Sequence, residues 1–165
     1  MLLVTGGAGF IGSNFVLDWL AENDEPILNL DALTYAGNLE NLVSVITDPR
    51  HTFVKGDIGD KTLVASLLAH YRPRAIINFA AETHVDRSIF GPDLFYKTNV
   101  LGTLNLLKCA KAFYDVADPA EQRKFRFLHV STDEVFGSLT SNEPAFTEET
   151  PYRPNSPYSA SKACS

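Results

Sequence analysis

Tyr158 and Lys162 stand four residues apart in the run YSASK. On a helix that spacing brings both side chains to one face. An ammonium beside a phenol stabilises the phenolate and draws its pKa from about 10 toward neutrality. A tyrosine so placed can take the proton from a sugar or alcohol hydroxyl. Two adjacent carboxyl groups, Asp133 and Glu134, lie in STDEVFG at 131–137. Such a pair can divide acid and base work if its surroundings split the two pKa values, although a surface turn tolerates the same two residues. In TGGAGFIGS at 5–13, Gly6, Gly9 and Gly12 are spaced GxxGxxG, and Gly7, Gly9 and Gly12 also satisfy GxGxxG. Glycines there let the backbone turn sharply and approach a pyrophosphate, which the N–H groups of a following helix would hold.

Asp31 falls 19 residues after Gly12, near the spacing of about 20 at which an acid accepts hydrogen bonds from a ribose. A carboxylate repels a 2′-phosphate, and the next residues, Ala32, Leu33 and Thr34, supply no arginine to hold one. The expected cofactor is therefore NAD rather than NADP. Asp57 and Ile58 would lie beside the adenine; Asp57 reads equally well as a helix cap or turn residue.

These residues need strands that end where they begin. Apolar runs at 2–5, 26–31, 51–57, 74–81 and 125–131 read as five strands. Helical spacing marks 12–22, through Phe15, Val16, Trp19 and Leu20, and 63–71, through Leu63, Val64, Leu67, Leu68 and Tyr71. A longer helix over 92–114 carries Leu94, Phe95, Thr98, Leu101, Leu106, Cys109 and Phe113 on or near one face. Strands alternating with helices predict an α/β fold: a Rossmann-like, doubly wound parallel sheet in three α/β/α layers. Gly137 to Pro157, with four prolines, reads as an ordered surface loop. A last helix begins near Ser156. Such sheets commonly have about six strands, so five strands and an unfinished helix predict a truncated chain. Residues 1–165 would be an incomplete NAD-binding domain of a longer protein.

Composition removes other classes. Fourteen basic and 20 acidic side chains give a net charge of −6, which argues against nucleic acid or anionic membrane as partner. No apolar run approaches the ~18 residues of a membrane span. The start, MLLVTGG, has no basic region or cleavage site of a signal peptide. Cys109 and Cys164 are too far apart for a redox motif, and His51, His70, His84 and His129 form no metal-binding pair. The expectation is a cytoplasmic protein with reduced thiols and no metal.

The glycine run, LDALTYAGNLENL at 30–42, GDIGD at 56–60, NFAAETHVDRSI at 78–89, TNVLGT at 98–103, STDEVFG and YSASK together resemble the extended short-chain dehydrogenase/reductase superfamily. Within it, the TDE run, AETHVDRSI and DALTYAGNLENL are similar to the 4,6-dehydratases of nucleotide-sugars. Related epimerases usually carry small hydroxyl residues where Asp133 and Glu134 stand. Phe136 departs from the tyrosine frequent there.

The resemblance implies dehydration of dTDP-glucose to a 4-keto-6-deoxy sugar. Tyr158 with Lys162 would deprotonate the 4-hydroxyl, Glu134 would remove the C5 proton, and Asp133 would protonate the departing C6 hydroxyl. Thr132 would bind the sugar near O4. The implied cofactor-binding set is Gly6, Gly9, Phe10, Ile11, Gly12, Asp31, Ala32, Leu33, Thr34, Asp57, Ile58, Ala80, Ala81, Thr83, Thr98, Ser131, Tyr158 and Lys162, with Asn99 near it. Thr83 would also touch substrate, and His84 would serve structure. The long helix would pair with its copy in a homodimer, although its periodicity equally suits a helix that only covers the sheet. Base recognition would lie in a C-terminal portion, leaving UDP-glucose open, and residues 1–165 alone would be inactive. A nucleotide-sugar epimerase or decarboxylase, and a non-catalytic NAD-binding module, are the competing readings.

Overall fold

The computed structural model describes all 165 residues. Its five strands are β1 (Leu2–Thr5), β2 (Ile27–Asp31), β3 (His51–Lys55), β4 (Ala75–Asn78) and β5 (Arg126–His129). They form one parallel sheet in the order β3-β2-β1-β4-β5. The three inner strands, LLVT, ILNLD and AIIN, are buried throughout, as expected of a sheet covered on both faces.

Strand periodicity divides the apolar side chains between two cores. Leu3, Leu28, Leu30 and Ile76 face one side, beneath α2 (Lys61–Tyr71) and α5 (Thr103–Val116). Leu2, Val4, Ile27, Ala75 and Ile77 face the other, against Val16 and Leu20 of α1 (Phe10–Glu22). The sheet is therefore doubly wound. Strand order reverses at β1, and the crevice beyond the carboxyl ends of β1 and β4 is where such folds bind ligands.

The structure adds elements the sequence reading passes over. Leu39–Leu42 and Asp133–Phe136 are 3-10 turns, and Val85–Phe90 (α3) and Pro119–Lys124 (α6) are short helices. Their few residues show little periodicity, yet their caps are in the sequence: Asp118 and Glu121 close a capping box on α6. The helix expected over 92–114 is a continuous run of three parts, α4 (Pro92–Phe95), a π-helical segment (Tyr96–Gly102) and α5. Residues 138–156 hold no helix or strand. They are tied back by the Arg153 N–H to the Val135 carbonyl at 2.9 Å and by Phe136 packed on Phe146 and Tyr152. No helix is long and apolar enough to cross a membrane.

Candidate active site

The glycine run is the turn between β1 and α1. Gly6 has φ +70°, and a Cβ there would press on the backbone of Ala80. A Cβ at Gly12 would enter the Gly6 carbonyl, so the loop and the first turn of α1 close up only around hydrogen. Gly9 caps α1 without a side-chain bond. The first N–H groups of the helix are thus left for an anion.

Asp31, at the end of β2, accepts hydrogen bonds from the Ala8 N–H at 2.9 Å and the Leu33 N–H at 2.8 Å. These fix a carboxylate with spare lone pairs beside the loop, and the Asn41 amide holds the Ala8 carbonyl at 3.0 Å.

A cleft of about 380 Å³ runs from this loop over the sheet to the last helix, α7 (Pro157–Cys164). It is lined by Gly6, Gly9, Phe10, Ile11, Gly12, Asp31, Ala32, Thr34, Asp57, Ile58, Ala80, Ala81, Thr83, Thr98, Ser131, Tyr158 and Lys162. Leu33 corrects the expected set: it takes φ +51°, and its side chain packs on the α1 core instead. Only its N–H serves the site, through Asp31. The sequence reading missed Leu30, Gly37, Gly56, Phe79, Glu82 and Val130, which also line the cleft. All but Gly37 flank a residue it did identify, and Gly37 and Gly56 stand in the YAGN and GDIGD runs.

α7, which carries Tyr158 and Lys162, is held at several points. Ser156 caps it in a reciprocal pair with Ser159, and Pro157 opens its first turn. The Ser88 hydroxyl of α3 accepts the Tyr158 N–H at 3.1 Å. Ser159 and Ser161 are fully buried, which lets α7 approach its neighbours closely. Asn99, in the π-helical segment, binds both the N–H and carbonyl of Glu82, at 2.8 and 2.9 Å, and the Ser161 hydroxyl at 2.9 Å. One amide thereby locks the wall after β4 to α7.

Thr132 caps the 3-10 turn that carries Asp133 and Glu134, its hydroxyl accepting the Glu134 N–H at 3.3 Å. Asp133 and Glu134 stand outside the cleft lining, at its end, where both carboxylates bear on Tyr158. Burial pushes the Tyr158 phenol above its ordinary pKa; the Thr132 hydroxyl opposes this, and the charges of Glu134 and Asp133 reinforce it. Lys162 lies on the same side of α7, but its ammonium donates to the Val130 carbonyl at 2.7 Å. Its own pKa is lowered to about 8 by burial.

His84 is the residue before α3 and makes no side-chain cap. Beyond it, the Arg87 guanidinium lies 4.5 Å from the centre of the Tyr35 ring, joining α3 to the loop after β2.

Residues 3–165 match the family described as GDP-mannose 4,6 dehydratase. The chain is 58% identical over 163 residues to a dTDP-glucose 4,6-dehydratase of Xanthomonas campestris, covering 99% of this chain and 46% of that one. A solved dTDP-glucose 4,6-dehydratase from Streptomyces venezuelae, with NAD bound, superposes with a TM-score of 0.87 at 51% identity, over 99% of this chain and 48% of that one. A Thermus thermophilus UDP-glucose 4-epimerase in complex with NAD follows at 0.81 and 35%, over 98% and 47%. The chain spans about half the length of the relatives it matches. The family model's match over residues 3–165 and the 58% identity over 99% of the chain place it in the GDP-mannose 4,6 dehydratase family of the extended short-chain dehydrogenase/reductase superfamily.

Proposed function

We propose that the full-length protein is an NAD-dependent dTDP-glucose 4,6-dehydratase, a hydro-lyase. The observation that carries this is the Thr132–Asp133–Glu134 turn set against Tyr158 at the end of the cleft. The cleft fits the cofactor. A Cβ would fill the cradle at Gly6 and Gly12, and Asp31 is oriented for ribose hydroxyls. When bound, NAD supplies the acceptor and later the donor of a hydride, so the reaction has no net redox change.

The side chains of this chain manage protons. Tyr158 takes the proton of the sugar 4-hydroxyl as C4 is oxidised, with Thr132 beside O4. The resulting ketone acidifies the C5 proton, which Glu134 removes. Asp133 gives its proton to the C6 hydroxyl, which leaves as water. Once hydride has returned to C6, Glu134 restores a proton to C5. The phenol pKa raised by burial and by two carboxylates makes Tyr158 a reluctant phenolate. Lys162, one helical turn away, is the cation that can offset this. Thr83, on the cleft wall, contacts both cofactor and substrate.

Residues 1–165 form the cofactor domain, and the C-terminal portion recognises the nucleotide. A second copy packs along the long helical run after Pro92, which exposes Leu101, Leu104 and Val116 in its groove with α2. Two free cysteines, Cys109 and Cys164, support a reducing, cytoplasmic setting. The test is an assay of the full-length protein on dTDP-glucose and UDP-glucose. A 4-keto-6-deoxy product from dTDP-glucose is expected, and a 4-epimer without loss of water would refute dehydration.

A further inference from the structure

A chain of buried polar groups runs beneath the cleft from the central strand to Lys162. The Thr5 hydroxyl on β1 donates to Asn78 Oδ1 on β4 at 2.5 Å. Thr5 and Asn78 are both almost wholly buried. That bond fixes the Asn78 amide, so its Nδ2 faces His129 Nδ1 on β5 at 3.0 Å. An amide nitrogen only donates, so Nδ1 accepts, and the neutral ring carries its proton on Nε2. Nε2 lies 3.1 Å from Ser165 Oγ, whose own hydroxyl donates to the Lys162 carbonyl at 3.0 Å. It also lies 3.5 Å from Lys162 Nζ.

The ring therefore turns an N–H toward the ammonium, which finds no acceptor there. Lys162 is 6% exposed, and its one protein acceptor is the Val130 carbonyl.

We propose that His129 is a positioning residue for Lys162: a neutral imidazole, its tautomer dictated by Thr5 and Asn78, that walls in the ammonium and leaves it only the Val130 carbonyl and the cleft. This rests on the reading of Tyr158 and Lys162 given above.

Charge on neighbouring elements does not replace this control. The titratable groups near Lys162 are His129 on β5, Tyr158 on α7, Glu82 after β4, and Asp133 and Glu134 on the 3-10 turn. α3 carries Asp86 and Arg87, and the run from α4 carries Asp93, Tyr96 and Lys97. None forms a salt bridge with Lys162. Burial alone lowers Lys162 to about 8. Burial, then the Lys162 charge, lowers His129 to about 4.

The experiment uses the full-length protein loaded with NAD. Hydride transfer from dTDP-glucose is read in single turnovers as NADH absorbance from pH 6 to 10. In His129→Asn, the shorter amide keeps an acceptor for Asn78 but admits water beside Nζ. The alkaline limb set by Lys162 is expected to rise by about one pH unit or more. His129→Gln, which keeps a donor and most of the volume, should restore the limb. An unmoved limb in a His129→Asn protein that holds NAD and melts normally overturns the proposal.

A second measurement needs no variant. Nitrogen-15 NMR of the wild-type imidazole should show the Nε2–H tautomer down to about pH 5, and a ring that gains its second proton near its ordinary pKa of 6.5 overturns the proposal even if the variant does not fold. Lys162→Met separates the two readings: near-normal turnover there removes Lys162 from the chemistry, whereas a dead Lys162→Met beside an unmoved His129→Asn limb removes only His129.

Discussion

Glu134 and Asp133 both bear on the Tyr158 phenol, but in the proposed reaction the three act at different times. Tyr158→Phe in the full-length protein removes the phenolic oxygen while leaving the cradle and Asp31 intact. NAD content should be unchanged, and NADH formation from dTDP-glucose should fall about a thousandfold, the scale of a lost general base. Turnover within tenfold of wild type would take Tyr158 out of the mechanism. In the proposed reaction the two acids act after oxidation. Glu134→Gln should still form NADH but exchange the C5 proton for solvent deuterium slowly. Asp133→Asn should exchange C5 yet release water slowly. If both variants eliminate water at the wild-type rate, the DE pair is only a turn.

At the scale of elements, the turn between β1 and α1 has almost no tolerance. Gly12→Ala would drive a Cβ into the Gly6 carbonyl, a clash worth about 1–3 kcal/mol in a packed site. The full-length variant is expected to lose NAD and melt lower; retention of stoichiometric NAD through purification would show that the loop can yield.

Much of this scale was legible in the sequence. Strands β1, β2 and β4 are short, mostly apolar runs, and the glycines and Asp31 stand at or just beyond their ends. What was not legible depends on three-dimensional neighbours. Nothing in TNVLGT announces that Asn99 will bind Glu82 and Ser161, because its partners lie 17 and 62 residues away. Leu33 belongs to the cofactor-binding set the resemblance implies, but with a left-handed backbone its side chain packs on the α1-side core and only its N–H reaches the site. The spacing places Lys162 on one face of α7 with Tyr158, but that its ammonium donates to the Val130 carbonyl depends on α7 lying against the chain just after β5.

For the molecule as a whole, acid should act through buried imidazoles before it acts on surface carboxylates. His129 is neutral in the fold down to about pH 4, chiefly through burial, and His51 is also lowered by burial. Unfolded, each takes its proton near 6.5. Between pH 6.5 and 4 the unfolded chain binds more protons, so stability falls with pH across that window and then levels off for His129. The melting temperature of full-length His129→Gln should fall less between pH 7 and 5 than that of wild type, and equal falls would count against the buried imidazole as the cause.

The division of labour along the chain has its own test. Every proposed catalytic side chain lies within 1–165, while the chain spans about half of its relatives. Leu128, on edge strand β5, is 56% exposed, an apolar surface suited to further structure. Holding a sugar at reacting distance can supply about 7–11 kcal/mol of a barrier, and the matched relatives carry about as much chain again outside the matched half. Residues 1–165 produced alone, and shown by circular dichroism to be folded, are therefore expected to yield no 4-keto-6-deoxy product from dTDP-glucose with added NAD. Turnover comparable to the full-length protein would place sugar recognition within these residues and overturn the division into cofactor and substrate portions.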